Sequence, residues 1–200
     1  MIIALHNQRG EPMRSAKNEF LTIFCFLFLL ISSTPASAVV GEVWEQVSPL
    51  PTGNDLNGVV SGGGTLVAVG SFGTILTSPD GFNWTSRSSG TTSPLNGITW
   101  NGSQFLAVGS SGTILTSTDS LSWTFQTSGA VTSLNSVTWN GSQFVAGGND
   151  GTILTSPDGV NWTSQASGTK KPIRGITWSG SQFVAVGSSG TILTSPDGVN

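Results

Sequence analysis

A unit of 39 residues recurs along this chain with no insertion between copies, and that spacing limits the fold to architectures built by stacking one small element. Leu56, Leu95, Leu134 and Ile173 open four units, spanning 56–94, 95–133, 134–172 and 173–200. The second reads LNGITWNGSQFLAVGSSGTILTSTDSLSWTFQTSGAVTS and the third LNSVTWNGSQFVAGGNDGTILTSPDGVNWTSQASGTKKP. A single unit this short cannot bury its own apolar face, so neighbouring units must cover one another.

Each unit parses into four short strands. Gly97–Trp100 is followed by Asn101-Gly102, a pair suited to a type I′ hairpin turn with two positive φ angles. Gln104–Gly109 makes a second strand, with Phe105 and Ala107 on one face and Leu106 and Val108 on the other. Ser111-Gly112 turns into a third strand, Thr113–Ser117, and a fourth begins near Trp84, Trp123 or Trp162. In the first and third units Pro79-Asp80-Gly81 and Pro157-Asp158-Gly159 supply the third turn, because Pro presets φ, Asp bonds the backbone and Gly accepts a positive φ. Only 8% of residues are charged, but 36% are hydrophobic, enough apolar material for a packed core. Four antiparallel strands per unit of about 40 residues is the blade pattern of an all-β propeller. A solenoid fits less well, since its coils do not turn back after every strand. Trp100, Trp139 and Trp178 are read as core between blades, each worth roughly 1.5–3 kcal/mol when buried, with sugar stacking as the alternative.

The first 38 residues differ in kind. Arg9, Arg14 and Lys17 precede an apolar run over 20–31, and Ala36-Ser37-Ala38 gives a small-x-small cleavage site. This predicts a signal peptide over 1–38, with Met13 an alternative start, and an exported product: secreted, periplasmic or at the cell surface. The run is too short for a membrane span, so no stable span is expected after cleavage. Cleavage removes His6, Cys25 and both methionines. Residues 39–200 then hold no His, Cys, Met or Tyr, four cations and eight carboxylates, a net charge of −4. Disulfides, Ser-His and Cys-His nucleophiles and zinc sites are excluded, and so few basic residues argue against nucleic acid. Residues 39–55 include Glu42-Val43-Trp44-Glu45-Gln46-Val47, which reads as a lone fourth strand able to complete the last blade. Trp44 lies 12 residues before Leu56, against 11 from Trp84 to Leu95. A closed four-bladed ring and a fragment of a larger propeller both stay open.

Ser78-Pro79-Asp80-Gly81-Phe82-Asn83-Trp84 and Ser156-Pro157-Asp158-Gly159-Val160-Asn161-Trp162 resemble the Asp-box (BNR) turn of sialidase-type propellers, one residue shorter between Asp and Trp. They are closer to a Ser-x-Asp-Gly-x-x-Trp variant of exported propeller repeats, some of which look like photosystem II assembly-factor propellers. The second unit departs, with Thr118-Asp119-Ser120 at this place. The resemblance covers 56–200 and implies a propeller fold, with the function of an assembly factor as one possibility. Asp80, Asp119, Asp158 and Asp197 read as turn locks and not as catalysts. A repeated calcium site is the poorly supported alternative, since each turn offers one carboxylate and calcium takes about six to eight oxygens. Sialidase chemistry, which in that family uses a tyrosine nucleophile and three arginines, is excluded by inventory. A two-carboxylate glycosidase would need Glu42, Glu45 or Asp55 to pair with Asp150 or another aspartate.

The repeat breaks mainly between a fourth strand and the next first strand: 87–94, 125–133 and 165–172. Lys170, Lys171 and Arg174 form the one basic cluster there and are the candidate contact patch. Arg174 stands where Asn57, Asn96 and Asn135 stand elsewhere, and Phe72 and Asp150 break the pattern at the second turn. Asn83, Asn101, Asn140 and Asn161 begin Asn-x-Ser/Thr sequons that follow from the repeat. The expected function is a non-enzymatic scaffold that binds a protein partner, with no cofactor or metal. A lectin-like glycan binder is the alternative, and a glycosidase-related enzyme the third reading.

Overall fold

A computed structural model describes residues 45–200. The expected signal peptide, its cleavage site and Trp44 lie outside the described residues. Residues 45–55 contain no strand, and regular structure starts at Leu56. Among the described residues fifteen strands form four antiparallel meanders. The first blade holds β1 (Leu56–Gly62), β2 (Thr65–Gly70), β3 (Ile75–Ser78) and β4 (Thr85–Arg87). The second holds β5 (Leu95–Trp100), β6 (Phe105–Gly109), β7 (Ile114–Ser117) and β8 (Thr124–Gln126). The third holds β9 (Leu134–Trp139), β10 (Phe144–Gly148), β11 (Ile153–Ser156) and β12 (Thr163–Gln165). The last has three strands among the described residues, β13 (Ile173–Trp178), β14 (Phe183–Gly187) and β15 (Ile192–Ser195).

Blades stack by their first strands, β1 beside β5, β5 beside β9 and β9 beside β13. Three apolar seams result. Val67, Val69 and Ile75 of the first blade meet Leu95, Phe105, Ala107 and Leu115 of the second. Leu106, Val108 and Ile114 meet Leu134, Phe144, Ala146 and Leu154. Val145 and Ile153 meet Ile173, Phe183 and Ala185. Alternation along β6 thus sends Phe105 and Ala107 into one seam and Leu106 and Val108 into the next. Trp100 and Trp139 lie half-buried against Phe105 and Phe144, with ring centroids 4.3 and 4.5 Å apart. Gly62 is where Trp100 crosses the seam: a Cβ there would stand 2.4 Å from the indole.

The first hairpin differs from expectation by one residue. Asn101 N–H donates to the Gln104 carbonyl, so the central pair is Gly102-Ser103, and only Gly102 has positive φ, at +100°. The Asn101 carboxamide oxygen accepts the N–H groups of Ser103 and Gln104 at 2.9 and 2.8 Å, which spares Asn101 the left-handed conformation. Between first and second strands, a two-residue turn with two positive φ angles occurs among the described residues only in the first blade, at Gly63-Gly64.

Candidate functional site

Strand direction sorts the loops onto two faces. The turns between first and second and between third and fourth strands lie at one end of each blade, the turn face. The turns between second and third strands, and the connections from one blade to the next, lie at the other, the connection face.

On the turn face, the Asp80 carboxylate accepts the N–H groups of Phe82 and Asn83 at 2.9 and 2.8 Å, the Asn83 amide at 2.8 Å and the Ser78 hydroxyl at 3.1 Å. Trp84 Nε1 then donates to the Gly81 carbonyl at 2.9 Å, fixing the indole over the turn. Asp158 repeats this with Val160, Asn161 and Ser156, and Asp197 with Val199, Asn200 and Ser195. Asp119 lacks the amide partner because Ser122 replaces Asn. These donors favour the ionised form. The N–H of Asn83, and after it the Asn83 amide, holds the Asp80 carboxyl well below the usual carboxylate range, and the N–H of Asn161 does the same for Asp158. Asp119 is lowered mainly by the Ser122 N–H, and Asp197 is lowered to about 2 mainly by the Asn200 N–H. With their lone pairs engaged by their own turns, these aspartates act as braces.

The connection face is built on an equally regular base. In every blade the residue after the second strand donates its N–H to the carbonyl just before the first strand: Ser71 to Asp55, Ser110 to Pro94, Asn149 to Ser133, Ser188 to Pro172, at 2.8–3.0 Å. The following residue is left-handed without being glycine: Phe72, Ser111, Asp150 and Ser189, with φ of 54–57°. At Phe72 that conformation holds up a phenyl ring that is 70% exposed. Phe72, Arg87, Asn54 and Thr91 line an open groove beside the first connection. Phe125 reaches its edge, 3.2 Å from the Cβ position of Gly90. Arg87 Nε donates to Thr77 Oγ1 at 2.9 Å, where Gln126 and Gln165 make the same bond to Thr116 and Thr155. The cation is therefore set into a position that the other blades give to a neutral amide.

The predicted basic patch is divided. Lys170 and Lys171 are exposed in the third connection, and Lys170 lines a groove with Asp150. Arg174 is the second residue of β13 and donates Nε to Ser188 Oγ at 3.1 Å, toward the turn of its own blade. Asn57, Asn96 and Asn135 use that position to donate across a seam, to the carbonyls of Leu95, Leu134 and Ile173 at 2.9, 2.9 and 2.7 Å. Every Lys and Arg of residues 45–200 lies on the connection face, with Asp55 and Asp150. The four bracing aspartates lie on the other face, with no Lys or Arg. Sequence reasoning singled out the cluster over 170–174, but it missed Arg87, whose signal was a lone charge at a Gln position. Among the described residues no group of three His, Cys, Asp or Glu side chains could hold a metal, and no helix is long and apolar enough to cross a membrane.

No family model matches this chain, and no curated protein matches it. Solved structures do. The chain is similar to YCF48 bound to a D1 peptide, with 23% identity, 73% of this chain and 51% of that chain covered and a TM-score of 0.60. It is similar to YCF48 from Cyanidioschyzon merolae, with 17% identity, coverage of 70% and 50% and a TM-score of 0.58. The computationally designed Ika4 protein matches at 11% identity with a TM-score of 0.64, over 79% of this chain and 100% of that one. At these identities the likeness is one of fold, that of a β-propeller. The chain spans about half the length of the YCF48 chains it matches.

Proposed function

We propose that this chain is an exported, non-enzymatic propeller scaffold whose connection face holds an extended, acidic and partly apolar segment of a protein partner. The observation that carries this reading is the gathering of all four cations of residues 45–200, with the exposed Phe72, on the face where most of the repeat's departures lie. Recognition needs such departures, and a symmetrical scaffold does not supply them. The N-terminal sequence supports export. The lack of His, Cys and Tyr in residues 39–200 supports action by binding and not by catalysis. A structural neighbour solved with a peptide bound supports a peptide as the class of ligand. Among the described residues Trp100, Trp123, Trp139, Trp162 and Trp178 pack into the seams, and Phe72, Phe82 and Phe125 are the exposed aromatic residues, a poor start for stacking sugars.

Fluorescence anisotropy against a library of labelled acidic peptides carrying one or two apolar residues tests the proposal. Saturable binding that weakens with salt and is lost in Lys170→Glu/Arg174→Glu is expected. Saturable quenching of tryptophan by a glycan panel, with no peptide bound, would overturn it.

A further inference from the structure

The three connections between successive blades share a backbone and differ in charge. The first groove encloses about 680 Å³, and Arg87 is the one charged residue that lines it, beside Phe72 and Thr91. The bond from Nε to Thr77 Oγ1 aims the guanidinium and engages one of its N–H groups. The third groove, about 460 Å³, is lined by Lys170 with Asp150. Lys171 and Arg174 follow Lys170 in the chain, so cations outnumber the carboxylate there. Between these grooves the second connection is uncharged, and residues 120–149 contain no Asp, Glu, Lys or Arg. It is apolar at two exposed places instead, Phe125 at 53% and Val131 at 90%. The other connections hold Ser86 and Ser164 at the place of Phe125, and Thr92 and Lys170 at the place of Val131. The second blade has a neighbour on each side, so these side chains are not bare for want of a blade to cover them. Ser111 and Asp150, at the place of Phe72 in the interior blades, are exposed as well.

We infer that the connection face selects an acid–apolar–acid pattern. One carboxylate of an extended partner segment sits on Arg87, an apolar side chain lies over Phe125 and Val131, and a second carboxylate sits on Lys170. This rests on the reading of the face as a peptide site and adds the order and spacing of what is bound. Packed sheets lie about 10 Å apart, and an extended chain advances about 3.3 Å per residue. Passing one blade therefore takes about three residues, which puts the apolar residue about three places from each acid and the acids about six places apart.

The uncharged middle is what gives the pattern its order. An acid placed there would lose water with no cation to pair it, a cost that an apolar side chain does not bear. Phe125 joins the first two positions, because its ring comes 3.2 Å from the Cβ position of Gly90, which lines the first groove. The repeat also supplies substitutions that suit each place. Arg87→Gln installs the residue type of Gln126 and Gln165, and Val131→Thr and Lys170→Thr install that of Thr92. Each is a side chain that another blade already carries there.

Anisotropy on the purified chain with end-capped peptides of the pattern Asp-x-x-Leu-x-x-Asp, in a Ser and Gln background, tests the spacing. This peptide should bind about tenfold tighter than one of the same composition with its acids adjacent, or with Leu exchanged for one Asp. Equal affinity across the series would overturn the inference and leave a peptide site standing. No saturable binding by any acidic peptide would overturn the reading of the face itself, and the inference with it. The series needs no altered protein, so a variant that misfolds does not shield the idea. Variants then test which cation meets which acid. Arg87→Gln should weaken the pattern peptide about tenfold and have no effect on one of the two peptides in which a single Asp is replaced by Asn. Lys170→Thr should behave in the same way with the other peptide. Val131→Thr should cost about threefold, and nothing once Leu is replaced by Ser. Coupling of both cations to the same Asp would sink the ordered arrangement.

Discussion

The two faces of the blades are made by the same strands and differ in what their loops are free to do. On the turn face each third turn spends its carboxylate on its own backbone and serine hydroxyl, and the first three blades add an indole bonded to the same turn, so one repeat closely follows the next. On the connection face the backbone is pinned at the base by the bond from the second turn to the residue before the first strand, and the side chains above it vary. Stability is thus concentrated in a part of the loops that recognition does not use. The difference teaches that an open binding surface in a repeat protein is to be sought where backbone bonds, and not side chains, close the loops.

The strongest challenge to that division is a change at the base of the variable face. Gly112 has φ of +68°, and a Cβ there would stand 2.1 Å from the Ala130 carbonyl oxygen. Gly112→Ala should cost about 3 kcal/mol in urea unfolding, combining left-handed strain with a clash against backbone that cannot give way. A cost below about 1 kcal/mol would mean that the connection is soft down to its base. Next in size is the effect of charge at the top of the same loops. Lys170→Glu/Arg174→Glu should weaken peptide binding at least tenfold, about 1.4 kcal/mol, while stability stays within about 0.5 kcal/mol.

The turn face should show the reverse behaviour, in its response to acid. The carboxyls of Asp80, Asp119, Asp158 and Asp197 are lowered from 3.8, Asp197 to about 2. A carboxyl lowered by folding stabilises the native state above its unfolded value, and this contribution is lost as pH falls through the folded one. The melting temperature should therefore be flat above about pH 5 and fall from about pH 4 to 2. Asp158→Asn should shallow that fall and lower the plateau, leaving peptide affinity at neutral pH unchanged. A melting curve indifferent to Asp158→Asn across this range would show that the braces are ornamental.

Much of this was legible in advance, because period and alternation are local. The 39-residue spacing, the opposed faces of Phe105–Ala107 and Leu106–Val108, and a turn at each Asp are visible in residue order alone. The hairpin after Trp100 was placed one residue early because Asn101-Gly102 also serves as an Asn whose side chain braces the two residues that follow, and only the paired register tells the two uses apart. The division of the basic cluster could not be read either. It depends on Arg174 being drawn to Ser188, a contact across 14 residues. Arg87 went unnoticed for a similar reason: its meaning comes from Gln126 and Gln165 making the same bond in neighbouring blades.

The smallest effects separate strain that serves folding from strain that serves a surface. Ser120 has φ of +62° on the turn face, where the other blades place Gly81, Gly159 and Gly198 at 76–82°. Ser120→Gly should relieve a left-handed serine and raise stability by roughly 0.5–1 kcal/mol, with no change in binding. Phe72 has φ of +55° on the connection face, with its ring in solvent. Asn tolerates that conformation better, so Phe72→Asn should gain a few tenths of a kcal/mol. It also removes the aromatic ring that lines the groove, so peptide affinity should fall. A stability gain paired with a binding loss at Phe72, and a stability gain alone at Ser120, is the pattern expected if strain is tolerated on one face for what it displays and on the other by drift in one repeat. If both substitutions leave binding untouched, Phe72 is no part of the surface, and the recognition site contracts to the cations.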